Sequence, residues 1–204
     1  MISRRQMLAG TVVGAASLML PEGLALAQPR AMAKEVLFDP DIPVLGNPDG
    51  DVTIVEFFDY QCSYCKWGFP DLMNVVERDG KVRLVMKDWP IFGEASVQAA
   101  GLVLAAGETG QYAKAMRALM ANRQQLQWYG AEKILARAGL DPALLKESLH
   151  KDGRRIQDVL ARNYAQARAF HFRGTPSFIV GSAIHPGMMQ ERDLVKAIAA
   201  ARAA

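Results

Sequence analysis

A strand, a helix and a second strand follow one another between residues 51 and 86, and this unit restricts the fold more than any other part of the chain. The run Val52–Phe58 is apolar and β-branched with a single acid, which is typical of a strand buried on both faces of a sheet. Residues 62–78 then carry helical periodicity, in which Pro70 should produce a kink. Residues 82–86 predict the next strand. Two strands joined in this way form a right-handed parallel unit, so the sequence predicts an α/β fold.

The rest of the chain is predicted to be a helical region followed by two strands and a closing helix. Residues 94–172 carry helical patterns without a strand signal. Within them, Asp141 followed by Pro142 predicts a helix start, and a last helix is expected from residue 152 to about residue 170. The other predicted elements are strands at 177–180 and near 183–184, a closing helix at 191–202 and at most a short strand at 36–38. The predicted organisation is an export signal (1–27), an N-terminal segment (28–50), one α/β domain (51–93 with 173–204) and a helical insertion (94–172).

The first 27 residues have the composition of a cleaved export signal. Arg4 and Arg5 precede an apolar stretch over residues 7–20, and Ala25-Leu26-Ala27 gives the small-residue pattern of a cleavage site. The stretch is shorter than the 18 or so residues that a membrane span needs, which favours cleavage over anchoring. The paired arginines also resemble a twin-arginine signal, with Sec export as the alternative. The mature chain is therefore predicted to function outside the cytoplasm.

Charge and cysteine content exclude several classes of protein. The net charge is +3 over 204 residues, and without the signal 22 basic residues face 20 acidic ones, with no basic stripe of the kind that nucleic-acid binding requires. Two cysteines make neither a disulfide-rich scaffold nor a four-ligand zinc site. The functional prediction therefore depends on the spacing of that one pair.

The pair is a CxxC motif, Cys62-Ser63-Tyr64-Cys65, placed directly after the buried strand and at the start of a helix. A helix N-terminus stabilises a thiolate at Cys62, and the next turn holds Cys65 close enough to resolve a mixed disulfide. A structural disulfide would close too short a loop to stabilise the fold much. Half of a metal site is disfavoured because the three histidines show no ligand spacing with the pair. The spacing thus favours redox chemistry without a bound cofactor or metal.

Two segments resemble the DsbA family of thiol–disulfide oxidoreductases. These are residues 59–66, around the CxxC, and Gly174-Thr175-Pro176-Ser177-Phe178, with the helical insertion between them. The similarity is greatest to the exported bacterial branch that includes DsbA-like, Com1-like and ScsC-like proteins. It implies a thioredoxin-like fold with an inserted helical subdomain and a periplasmic location. It also implies that Cys62 is the exposed, attacking cysteine, that Cys65 resolves, and that Thr175–Pro176 is a cis peptide packed against the pair.

Glu56 lies six residues before Cys62 in an otherwise apolar strand. The resemblance places the family's buried acid here, where it could accept the proton that the second thiol loses. A buried acid needs a partner, and Lys87 on the next strand is the candidate. Lys66, directly after the pair, is expected to be a solvated helix residue.

The resemblance implies that the chain oxidises the dithiols of reduced or unfolded exported proteins and is reoxidised by a membrane redox partner. An isomerase or reductase is one alternative, and a copper-binding or redox-sensing protein using the same two cysteines is another. The short segment between the signal and the first sheet strand favours a monomer. Trp67, Phe69, Trp89 and Phe92 could form an apolar surface around the site, although each of them taken singly is better explained by core packing.

Overall fold

The computed structural model describes residues 34–204. The predicted export signal, residues 1–27, lies outside the described residues. Among the helices of the described part of the chain, none is long and apolar enough to cross a membrane.

A five-stranded mixed sheet forms the centre of the fold. Its strands are β1 (Val44–Gly46), β2 (Val52–Phe58), β3 (Val82–Asp88), β4 (Ser177–Val180) and β5 (Ala183–Pro186). They lie in the order β1-β3-β2-β4-β5. Strands β2 and β3 pair in parallel, whereas the other three pairings are antiparallel. This is the sheet of a thioredoxin-like fold, and it confirms the predicted α/β class.

Strand β2 is the central strand, and all seven of its residues are buried. It lies between β3 and β4, so neither of its edges is open. A strand in that position must be apolar on both faces, which is why its sequence does not alternate between polar and apolar residues. The predicted parallel unit is confirmed.

Helix α1 (Ser63–Asp79) joins β2 to β3 and begins at the CxxC. Cys62 is its N-cap, and Gly80 ends it in a left-handed conformation with φ of 69°. Glycine adopts that conformation without a steric penalty, so the chain can turn directly into β3. The helix is continuous through Pro70, and one side of it is buried against α6 (Glu191–Ala203) and the sheet.

Four helices lie between β3 and β4, namely α2 (Glu94–Gly107), α3 (Tyr112–Ala121), α4 (Gly130–Arg137) and α5 (Pro142–Ala169). They pack chiefly on one another, with α2 against α5. Asp141 caps α5 by accepting from the Ala143 amide at 2.8 Å, as its sequence predicts. The expectation of a separate helix from residue 152 is wrong: α5 runs unbroken for 28 residues through Gly153, because one glycine costs a helix only about 1 kcal/mol.

Residues 34–37 form a helical turn, so the short strand expected at 36–38 is wrong. Val36 is completely buried, and Asp39, which follows, is 3% exposed. The Asp39 carboxylate accepts from Lys87 Nζ at 2.6 Å and from Arg162 at 2.8 Å. This ion pair network attaches the N-terminal segment to β3 and α5.

Candidate active site

The site forms where β2 and β3 end, at the edge of the sheet that carries the N-terminus of α1. Asp59, three residues before Cys62, organises the loops there. Its carboxylate accepts from the amides of Gln61, Ile91 and Phe92 and from the Ser96 hydroxyl, at 2.7–3.1 Å. Asp59 therefore fixes the loop that carries Cys62 relative to the loop after β3.

Cys62 and Cys65 are both free thiols. The Cys62 Sγ accepts from the Cys65 amide at 3.3 Å and lies 3.2 Å from the carbonyl oxygen of Thr175. A hydrogen bond from the Cys65 thiol is the main reason that the pKa of Cys62 falls to about 6; the Thr175 side chain and the α1 amides lower it further, against the effect of burial. At neutral pH Cys62 is therefore mainly a thiolate.

Cys65 has the opposite environment. It is 1% exposed, and burial raises the pKa of its thiol, an effect that the hydrogen bond to Cys62 and the charge of Glu56 strengthen. One cysteine is thus held as a thiolate and the other as a thiol. The expectation that Cys62 is exposed is wrong, because only 3% of the residue is accessible. Both cysteines are nearly inaccessible, so what distinguishes them is the pKa of the thiol, which is lowered at Cys62 and raised at Cys65.

Glu56 lies beneath the pair and is 1% exposed. Its Oε2 atom is buried without a hydrogen-bond partner among the described residues, and burial, together with the Cys62 charge, raises its pKa well above the usual value. The expected pairing with Lys87 is wrong. Glu56 is in register with Met86, and Lys87 with Phe57, so the two side chains lie on opposite faces of the sheet. Lys87 binds Asp39 instead.

The Thr175–Pro176 peptide is cis, as the resemblance implies. Its Thr175 carbonyl oxygen lies 3.2 Å from the Cys62 sulfur. The Thr175 hydroxyl is buried, and it is one of the groups that lower the pKa of Cys62. The structure therefore brings Cys62, Cys65, Glu56 and the Thr175–Pro176 turn together, although they come from three separate segments.

A groove of about 570 Å³ opens beside Cys62, between α1 and the segment that follows α3. We call it the cationic groove; Lys66, Trp67, Phe92 and Arg123 are among the residues that line it. Lys66 was expected to be solvated, and this is wrong, since it is only 4% exposed. Its place on the buried stripe of α1, three residues before Phe69 and seven before Met73, is the sequence signal for that burial.

The four aromatic residues near the motif divide into two pairs. Trp67 and Phe92 are 61% and 52% exposed and line the cationic groove. Trp89 and Phe69 are buried in the core. The predicted aromatic surface therefore contains only the first pair, and Tyr64, which is 58% exposed, adds to it by packing edge-on against Trp67.

Several known proteins are similar to this chain. It is 39% identical to a thioredoxin-like oxidoreductase from Silicibacter pomeroyi DSS-3 over 84% of this chain and 98% of that one, with a TM-score of 0.80. The catalytic domain of Proteus mirabilis ScsC is 25% identical over 87% of this chain and 98% of that domain, with a TM-score of 0.77.

A Rickettsia conorii protein named as a protein-disulfide oxidoreductase is 29% identical over 166 residues, which is 74% of this chain and 58% of that protein. The chain spans still less, 29%, of the Mycobacterium Na(+)/H(+) antiporters that it also matches at 24% identity. The family model described as Thioredoxin matches residues 39–200. The CxxC lies just after β2, and the sheet has the strand order of a thioredoxin-like fold. Together with these similarities, this shows that the chain belongs to the thioredoxin family and is related to the DsbA-like and ScsC-like thiol–disulfide oxidoreductases.

Proposed function

We propose that the chain is an exported thiol–disulfide oxidoreductase that donates its Cys62–Cys65 disulfide to reduced or unfolded exported proteins. The observation that carries this proposal is the opposed environment of the two cysteines. Cys62 has a pKa of about 6, and the pKa of Cys65 is raised. A pair in which one sulfur is a stable thiolate and the other a thiol is suited to disulfide exchange.

The reaction transfers one disulfide. A substrate thiolate attacks the Cys62 sulfur, the Cys62–Cys65 bond breaks, and Cys65 leaves as a thiolate that takes up a proton. The substrate's second thiolate then attacks the substrate sulfur of the mixed disulfide, and Cys62 leaves as a thiolate. The substrate loses two electrons, and the pair gains them as one thiol and one thiolate. We assign the exchange of this proton to Glu56, which is buried beside Cys65.

The low pKa of Cys62 supports the oxidising direction. The thiolate exists only in the reduced pair, so an interaction that stabilises it makes the disulfide a stronger oxidant. A pKa of about 6 instead of 9 stabilises the reduced form by about 1 to 2 kcal/mol at pH 7. For a two-electron couple this raises the reduction potential by roughly 30 mV.

The proposed location outside the cytoplasm is supported by the signal pattern of residues 1–27. Disulfides persist in such a compartment, and a donor must be reoxidised there after each transfer. A membrane redox partner that accepts two electrons from the reduced pair completes the cycle. The proposal therefore includes two partners, an unfolded dithiol substrate and a membrane oxidant.

The test is a disulfide-transfer assay with the oxidised protein and a model peptide dithiol. We expect one peptide disulfide for each chain, none with Cys62→Ala, and an accumulating mixed disulfide when reduced Cys65→Ala is offered an oxidised peptide. A wild-type chain that forms no peptide disulfide would refute the proposal. Equilibration with glutathione gives the reduction potential of the cysteine pair, which distinguishes an oxidase from a reductase. A reduction potential close to about −270 mV, the value for thioredoxin, would indicate a reductase instead.

A further inference from the structure

The cationic groove is built by contacts between three segments. Gln61, the residue before Cys62, donates through Nε2 to the Phe92 carbonyl at 3.0 Å and to the Ser96 hydroxyl at 3.1 Å. Its Oε1 accepts from the Leu126 amide at 3.2 Å. The redox loop, the loop after β3 and the segment after α3 are therefore held together by one side chain. These hydrogen bonds fix the walls of the groove relative to one another.

Two charged side chains line this groove, those of Lys66 and Arg123, and both are positive. Lys66 is nearly buried, and its Nζ donates only to the Gln124 carbonyl, at a distance of 3.4 Å. Arg123 lies across the groove and donates through Nη1 to the Lys66 carbonyl at 3.0 Å. Within residues 34–204, neither cation has a carboxylate within 4 Å, and no acidic side chain lines the groove.

Asp59 and Cys62 both act on Lys66 through their charge. The two oxygens of Asp59 already accept four hydrogen bonds from surrounding residues, and Cys62 carries no charge in the oxidised pair that meets the substrate. Lys66 Nζ and Arg123 Nη1 thus have only carbonyl oxygens as hydrogen-bond acceptors, and an anionic group in the groove would give both cations a charged partner. The walls of the groove, Trp67 and Phe92, are exposed aromatic rings that can pack against a polypeptide.

We propose that the cationic groove binds an acidic side chain of the substrate polypeptide, close in sequence to the substrate cysteine, and so selects substrates by the charge that flanks their cysteine. This inference rests on the proposed function, because it concerns the substrate of the same site. Gln61 and Ser63, the two neighbours of Cys62, both line the groove. An extended peptide advances about 3.3 Å per residue, so an acid two or three positions from the reacting cysteine reaches the groove.

The experiment compares disulfide transfer to dithiol peptides that differ at one position. Asp, Asn or Lys stands two or three residues from the first cysteine, on either side. We expect the wild-type chain to oxidise the best Asp peptide about fivefold faster than its Asn counterpart at low salt, as one partly exposed ion pair allows. The preference should disappear at 1 M salt, where the Debye length is about 3 Å.

Arg123→Gln should lower the ratio of the Asp rate to the Asn rate, and Arg123→Glu should shift the preference to the Lys peptide. Arg154→Gln removes an exposed arginine of α5 outside the groove and should leave every ratio unchanged. The salt series uses the wild-type chain alone, so it tests whether the preference for the Asp peptide is electrostatic even if a variant fails to fold. Free aspartate, added as a competitor, tests whether the groove binds the carboxylate without the peptide.

Two failures can be told apart. If the oxidised chain transfers no disulfide to any peptide, the proposed function fails. If it oxidises the Asp, Asn and Lys peptides at equal rates, the function stands and the acidic specificity is wrong. If Arg123→Gln keeps the wild-type preference, the function stands and the assignment of that preference to the cationic groove is wrong. Complete inhibition of the Asp preference by millimolar free aspartate would indicate a small-anion site instead of a substrate site.

Discussion

Replacing Cys65 in two different ways isolates the interaction that most lowers the pKa of Cys62. The Cys65 thiol donates to the Cys62 sulfur, and this hydrogen bond is the largest contribution to a pKa of about 6. Cys65→Ala removes the donor, whereas Cys65→Ser keeps one in nearly the same place. The two variants have similar volume, and both abolish the redox pair, so they differ mainly in that one hydrogen bond.

The size of the effect follows from the strength of a hydrogen bond to a charged group, about 1.5 to 3 kcal/mol. One pKa unit corresponds to about 1.4 kcal/mol, so Cys65→Ala should raise the pKa of Cys62 by about one to two units. Cys62 should then titrate between roughly pH 7 and pH 8, while Cys65→Ser should stay close to 6. The remaining depression in the alanine variant comes from Thr175 and the amides of α1.

The assay is the rate of alkylation of Cys62 as a function of pH, checked against the ultraviolet absorbance of the thiolate. Because each variant has a single cysteine, the titration belongs to Cys62 alone. Equal midpoints near 6 in both variants would show that the helix terminus and Thr175 are sufficient, and the reasoning about the Cys65 donor would be refuted. Midpoints near 9 in both would refute the helix-terminus contribution as well.

Three further predictions follow from the buried acids. Glu56→Gln should flatten the pH dependence of Cys65 release in the transfer assay, because it removes the buried acid with the raised pKa; an unchanged profile would exclude Glu56 from proton exchange. Asp39→Asn should lower the free energy of unfolding by about 3 to 5 kcal/mol, because it leaves the fully buried Lys87 amine without its carboxylate. Urea unfolding measures this loss, which Lys87→Met should partly reverse, and a loss below about 1 kcal/mol would contradict the buried pairing. Burial raises the pKa of Asp39, but hydrogen bonds from Lys87 and Arg162 outweigh burial and lower it. The stability that Asp39 contributes is therefore present above its unfolded pKa of 3.8 and is lost as the pH falls through the lower folded pKa. Thermal unfolding from about pH 5 to pH 2 should therefore show an acid loss that is smaller in Asp39→Asn.

The parts of the site that could be predicted are those written in contiguous sequence. Strand β2 is identified by an apolar run, and the place of the CxxC follows from that strand and the helix after it. The cis peptide at Thr175–Pro176 came from family resemblance, because a Thr-Pro dipeptide alone is equally compatible with the start of a strand.

The parts that failed depend on packing between distant segments. The pairing of Glu56 with Lys87 assumed adjacency between strands, but register decides which face a side chain occupies, and a shift of one residue reverses it. No local pattern places Arg123 across the groove from Lys66, since the two residues are 57 positions apart and meet through the path of α3. The contacts that Gln61 makes with the loop after β3 and with Leu126 are equally non-local.

The redox state of Cys62 and Cys65 in growing cells tests the central claim most directly. Thiols are trapped by acid quenching and a mass-adding alkylating reagent, and the oxidised and reduced forms of the chain are separated by size. Because the chain is proposed to donate disulfides and to be reoxidised at the membrane, the pair should be mainly oxidised at steady state. A pair that is mainly reduced would contradict the oxidase function and identify the chain as an isomerase or reductase.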